Sequence, residues 1–222
     1  MHFIKDVAGV LKKYVIRYLL QFERISENMK SPGLGLAGDL AIKLMTEANN
    51  RSVQNAVELL GIQRGEHVLE IGAGNGFGVL CMKEKVPGRL VAVEISAKFR
   101  SIINDQNISG LELYDKDAID MSSFIQSNSV DKLLAMNVVY FLDPFESYAK
   151  EMKRILKRET GLGILGCKPK AIMTGHDHVF KNKSVSEIKK ILSEVGLQVK
   201  EEFVKLDNPV ESYIALYISN HS

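Results

Sequence analysis

Apolar positions recur along this chain with two periods, and the switches between them mark out its elements. Phe3, Ile4, Val7, Val10, Leu11, Val15, Phe22, Ile25 and Met29 return every three or four residues, as on one face of a long helix. Ser31 to Gly38 is a cluster of breakers and predicts a loop. Asp39 is placed to cap a second helix, with Leu40, Leu44, Ala48, Val53, Val57 and Leu60 at helical spacing and Gly61 to end it. From Val68 the pattern changes to short apolar runs, at 68–71, 89–94, 111–114, 130–136 and 162–166. Runs that do not alternate suit parallel strands, whose two faces are both covered.

Helical stripes separate these runs. Residues 79–85 read as a helix that stops before Pro87-Gly88, and Ser96 caps another from Ala97 to Asn107. Asp143 and Glu146 form a capping-box pattern with Pro144 in the first turn, ahead of Tyr148, Ala149, Met152, Ile155 and Leu156. Ser184 and Glu187 repeat the box for a helix that ends at Gly196. Two alternating segments, 198–205 and 212–219, close the chain as an antiparallel pair.

The first strand opens into Gly72-Ala73-Gly74-Asn75-Gly76-Phe77-Gly78, a turn where the backbone passes close to a ligand. Strand, glycine turn and helix together place a ligand at the strand's carboxyl end. The dinucleotide pattern G-x-G-x-x-G would need a glycine at position 77, which is Phe77, so a nicotinamide dehydrogenase is disfavoured. The pattern actually present, E-x-G-x-G-x-G from Glu70, closely resembles the first motif of class I S-adenosylmethionine-dependent methyltransferases, of the small-molecule, type 11-like kind. Residues 61–222 carry the rest of that resemblance in order. Glu94 ends the second strand, Asp117-Ala118 follow the third, and Asn137-Val138-Val139-Tyr140 follow the fourth. Lys157 to Gly161 departs from the family's usual K-P-G-G, at a turn away from the site.

The resemblance implies a Rossmann-like α/β fold: a seven-stranded, mostly parallel sheet with helices on both faces and an N-terminal helical extension over residues 1–60. It implies S-adenosylmethionine as cofactor. Gly72, Ala73, Gly74, Asn75 and Gly76 would pack on its methionine part, which Glu70 helps to hold. Glu94 would take the ribose hydroxyls, since one carboxylate can accept from both, with Ile95 against the adenine. Asp117 and Ala118 would reach the adenine edge, and Asn137 and Val138 would complete the site.

Charge and composition narrow the acceptor. The 222 residues carry a formal net charge of +2, with 45% hydrophobic and 25% charged residues, as ordinary globular proteins do. Asn137-Val138-Val139-Tyr140 lacks both prolines of the [DN]-P-P-[YF] motif that holds a flipped base. Nucleic acid is therefore not the expected acceptor, and a small molecule is. Cys81 and Cys167 lie far apart and make no metal-type pair, and no signal peptide or membrane-length run is evident, so a cytoplasmic location is expected.

The stretch from Cys167 to Lys183 is long for a connection and holds His176-Asp177-His178. No third ligand accompanies the two histidines, so a metal is not expected. His176 and His178 are the candidates for a general base. The polar face of the first helix carries Lys5, Lys12, Lys13, Arg17 and Arg24, which leaves open a membrane surface or protein partner for residues 1–28. The second reading of the whole chain is accordingly a cofactor-binding, non-catalytic interaction protein using that helix.

Overall fold

A computed structural model describes residues 27, 30, 32, 36–168, 178–182, 184–209 and 211–220. Nearly all of the amphipathic segment expected over residues 3–29, and His176, lie outside them. The described elements run α1 (Leu36–Leu60), β1 (His67–Ile71), α2 (Phe77–Lys83), β2 (Arg89–Val93), α3 (Ala97–Asp105), β3 (Leu111–Tyr114), β4 (Lys132–Met136), α4 (Phe145–Ile155), β5 (Leu162–Cys167), α5 (Val185–Glu194), β6 (Gln198–Val204) and β7 (Tyr213–Ser219).

The seven strands form one sheet in the order β3-β2-β1-β4-β5-β7-β6. β1 to β5 pair in parallel, and β7 enters antiparallel between β5 and β6. This is the Rossmann-like arrangement, and the chain order reverses beside β1, between β2 and β4. Such a switch point opens a crevice at the carboxyl ends of the strands.

Both faces of the sheet's centre are covered, which is why β1, β2, β4 and β5 read as largely apolar runs. Val68 and Leu69 are neighbours in sequence and both fully buried, on opposite faces. Val68 packs with Ala56, Val57 and Leu60 of α1, Val79 and Met82 of α2, and Ile103 of α3. Leu69 packs with Tyr148, Met152 and Ile155 of α4 and Ile188 and Leu192 of α5. β6 ends the sheet and is mostly exposed, carrying Lys200, Glu201 and Glu202. Charges of this kind discourage edge-to-edge pairing.

Two sequence expectations are corrected here. The helix expected to be capped by Asp39 already begins at Leu36, so Gly38 and Asp39 are inside it. One glycine in a helix disfavours it by only about 1 kcal/mol, too little to break a helix of several turns. The capping box at Asp143 does not form either. Pro144 is itself the cap, with an extended ψ of 130°, and no side chain caps α4. Ser184 does cap α5, its Oγ accepting from the Glu187 N–H at 3.3 Å.

Candidate functional site

The carboxyl ends of β1, β2, β3, β4 and β5 share one edge of the sheet, and the polar residues singled out from the sequence follow those strands directly. Gly72, Gly74 and Gly76 all have positive φ, at 69°, 55° and 83°. A side chain at Gly72 would put its Cβ 2.6 Å from Val138 Cγ2, which ties the turn after β1 to the loop after β4. A Cβ at Gly78 would overlap the Glu70 carboxylate. At Gly74, by contrast, a Cβ would meet nothing described within 4 Å. The turn is packed from below and open above, where a ligand would lie.

Glu94 is the pivot of this edge. It is buried, and each carboxylate oxygen accepts one backbone N–H at 2.8 Å, from Gly74 to Oε2 and from Ser96 to Oε1. Burial pushes its pKa up, and the N–H bonds from Ser96 and Gly74 pull it back. Arg100 fixes the strand end by donating to the carbonyls of Glu94 and Ile95, at 3.0 and 2.8 Å. A carboxylate offers about four lone-pair directions. The Gly74 and Ser96 N–H groups use two, the Ile95 N–H is also directed at the carboxylate, and capacity is left for a ligand hydroxyl. Ile95 beside it is half exposed, as a residue laid against a flat ring would be.

Glu70 is the other acid of the motif. It is almost fully buried, and its Oε2 has no hydrogen-bond partner among the described residues. Burial, with the Glu94 charge in addition, raises its pKa well above the usual carboxylate range. Asn75 serves the turn itself: its Oδ1 accepts from the Phe77 N–H at 3.2 Å and its Nδ2 donates to Thr46 Oγ1 at 2.8 Å. Gln106 donates to the Asn75 carbonyl at 2.7 Å. Thr46 links α1 to the glycine turn, a connection that no local sequence signal announces.

Asp117 is exposed and Ala118 buried. Asp117 Oδ1 accepts from the Ile119 N–H at 3.1 Å, closing its own turn. Burial, and then the nearby Asp117 carboxylate, raise the pKa of the Tyr148 phenol. The loop after β3 is tied to α4 where the Met121 N–H donates to Glu151 Oε2 at 3.0 Å.

After β4, Asn137 has a positive φ of 56°, and its N–H donates to the Gly166 carbonyl at 2.8 Å. Tyr140 is buried beneath it and stacks on Phe180, with ring centroids 5.4 Å apart. Phe180 also meets Phe141 edge-on at 5.0 Å. Asn182 Nδ2 donates to the carbonyls of Val139 and Leu142, each at 2.7 Å. Residues 180–182 thus dock on the loop after β4. His178 is exposed at the start of this segment.

Sequence reasoning passed over Lys168, which follows β5 on the same edge. Burial lowers its pKa to about 8, and the Glu211 charge opposes that shift. The only signal was its place, a cation directly after an apolar strand.

The comparisons with known proteins agree with this geometry. Residues 69–162 match the family of methyltransferase domains. No curated protein matches the chain by sequence. Among solved structures, the chain bound to the Trm112 methyltransferase activator in a complex from Haloferax volcanii has a TM-score of 0.70 at 16% identity, covering 82% of this chain and 95% of that one. An S-adenosylmethionine-dependent methyltransferase from Thermotoga maritima has a TM-score of 0.61 at 17% identity, covering 80% and 93%. The [4+2]-cyclase SpnF has a TM-score of 0.63 at 14% identity, covering 78% and 81%. These structural likenesses speak to the fold, while the match over 69–162 takes in the glycine turn, Glu94 and the loop after β4. Over that match, residues 69–162 are similar to a methyltransferase domain.

Proposed function

We propose that this protein transfers the methyl group of S-adenosylmethionine to a nucleophilic N, O, S or C atom of a small-molecule acceptor. The observation that carries the reading is Glu94, a carboxylate held by two backbone N–H groups beside an open glycine turn, with lone pairs left over. The fit is chemical as well as spatial. Glu94 suits a pair of vicinal hydroxyls, Gly74 leaves room for a ligand close to the backbone, and Glu70 Oε2 is an acceptor without a partner among the described residues, suited to a cationic group. Asp117-Ala118 and Ile95 are assigned to the adenine, Gly72 to Gly76 to the methionine part.

Bound there, S-adenosylmethionine supplies a methyl on a positively charged sulfur that is already activated toward nucleophiles. The chain's own contribution is to hold donor and acceptor in line and to exclude water. The docked segment 180–182 and the loop after β4 would form one wall of the acceptor space. Where an acceptor must lose a proton, His176 and His178 are the assigned bases. A fold shared with a [4+2]-cyclase does not by itself fix a reaction, so the cofactor must be tested first.

Calorimetric titration of S-adenosylmethionine, and separately NADH, into wild type and Glu94→Ala makes that test. S-adenosylmethionine should bind wild type and bind the variant at least tenfold more weakly, as expected when hydrogen bonds to a charged group are lost. Release of S-adenosylhomocysteine in a screen of small amines, thiols and phenols would then identify the acceptor. Binding of NADH alone would overturn the reading.

A further inference from the structure

β6 is the last strand of the sheet, with β7 on one side and no strand on the other among the described residues. Phe203, near its end, is 60% exposed, the most of any large apolar residue described. An unpaired row of N–H and C=O groups beside an exposed phenylalanine is a template for another strand. The charges on β6 turn away a strand of arbitrary sequence, but they match one partner, which is β6 itself. Lys200 and Glu202 lie two residues apart on one face, where Lys200 sits over the Tyr217 ring at 5.4 Å. Val199, Glu201 and Phe203 lie on the other face, toward α5. There Glu201 takes the Lys189 ammonium at 2.8 Å.

Two identical strands paired antiparallel about a two-fold axis must oppose residues of the same face, so only every second register is allowed. The register centred on Glu201 uses the whole strand, because Gln198–Val204 has Glu201 at its middle. It sets Lys200 against Glu202 of the second copy and, by symmetry, Glu202 against Lys200. It also sets Val199 against Phe203, an aromatic–aliphatic pair that covers the exposed ring. Glu201 meets its own copy at the axis, where the two Lys189 side chains supply the counter-charge. Centring on Lys200 instead opposes two lysines and sets Val199 against Glu201. Centring on Glu202 opposes two glutamates and sets Phe203 against Glu201. Both of these also leave the ends of the strand unpaired. The register of full length is thus the register of matched charge. We propose that two copies of this chain form a symmetric dimer in which β6 pairs antiparallel with β6, joining the two seven-stranded sheets into one. β4, β5 and β7 stand between β6 and the glycine turn, so the dimer rests on nothing in the cofactor reading.

Sedimentation equilibrium of the full chain, from about 1 to 100 μM, tests the pairing. Wild type should show monomer and dimer in equilibrium across that range. Lys200→Glu and Glu202→Lys each turn two attractive cross-strand pairs into two repulsive ones. Each should raise the dimer dissociation constant about tenfold or more. Mixed in equal amounts, the two variants should recover the dimer to within about threefold of wild type, because each presents the charge that the other's own copy lacks. Recovery on mixing is not produced by changes within one strand, such as loss of the 3.7 Å contact between Lys200 and Glu202. Phe203→Ser, at an exposed site, should weaken the dimer as well, and it replaces any reversal whose circular dichroism shows that it has not folded. A wild type that is monomeric throughout overturns the proposal. So does a dimer that the folded variants leave intact, or one that the reversals break and mixing does not restore.

Discussion

Glu70 sits within an apolar strand with its carboxylate against the backbone of Gly78, and its burial predicts a stability cost with a definite pH dependence. The folded protein holds the Glu70 proton to a pH well above 4.5, chiefly because the ionised form is desolvated. The unfolded chain releases it at the ordinary value. Between those two values the unfolded state binds fewer protons than the folded state, so stability falls as pH rises above 4.5. Glu70→Gln keeps the shape and removes the titration. Its melting temperature should match wild type at about pH 4 and exceed it by several degrees at about pH 7, at roughly 2–4 °C for each kcal/mol of cost removed. A constant difference across that range would rule the argument out. The same variant should bind S-adenosylhomocysteine more weakly, since a neutral amide is a poorer partner for an ammonium. Stability and binding then move in opposite directions at one atom, as they do when a site keeps a group the fold would rather lose.

At the scale of elements, most of the architecture was legible because the parallel strands are largely apolar runs that end in a glycine or a polar residue, and β6 and β7 are alternating segments. Gly72, Glu94 and Asn137 could be placed at strand ends for the same reason. What the sequence hid were pairings across the chain. Nothing near Thr46 points to Asn75, and the Lys168-Tyr140-Asn137 bonds join residues 28 and 3 positions apart. Side-chain capping was half legible: Ser184-x-x-Glu187 and Asp143-x-x-Glu146 look alike in sequence, yet only Ser184 caps. The difference is the intervening Pro144, whose own extended backbone takes the cap position. Ser184→Ala should therefore destabilise by about 1 kcal/mol, while Asp143→Ala stays within about 0.5 kcal/mol in urea denaturation. An equal loss in both variants would restore the capping box at Asp143.

Across the whole molecule, the two edges of the sheet are built for different ends. The amino edge is tied by charge. Arg89 holds Glu112 through two bonds of 2.7 and 2.8 Å, and Asp131 takes the Lys157 ammonium at 2.6 Å and the His67 N–H at 2.9 Å. Burial, and then the Arg89 charge, lower the His67 pKa against the opposing pull of Asp131 and Glu112. The carboxyl edge instead gathers polar atoms with capacity to spare: among the described residues Glu70 Oε2, Gln106 Oε1 and Asn137 Nδ2 are buried and unpartnered around the glycine turn, against His67 Nε2 alone at the amino edge. A ligand that completes those atoms tightens one edge and leaves the other as it was. Binding to the folded state alone stabilises by about 2.7 kcal/mol at a ligand concentration a hundred times the dissociation constant. Hydrogen exchange measured at that concentration of S-adenosylhomocysteine should therefore show two effects. Amides that open only by global unfolding, in the centres of β1 and β4, should slow everywhere by the same global increment. Amides at 72–78, 94–96 and 137–141, which open locally, should gain protection from direct contact, and those at 88–90 and 157–161 should not. Protection gained at the amino edge instead would move the binding site to the other end of the sheet.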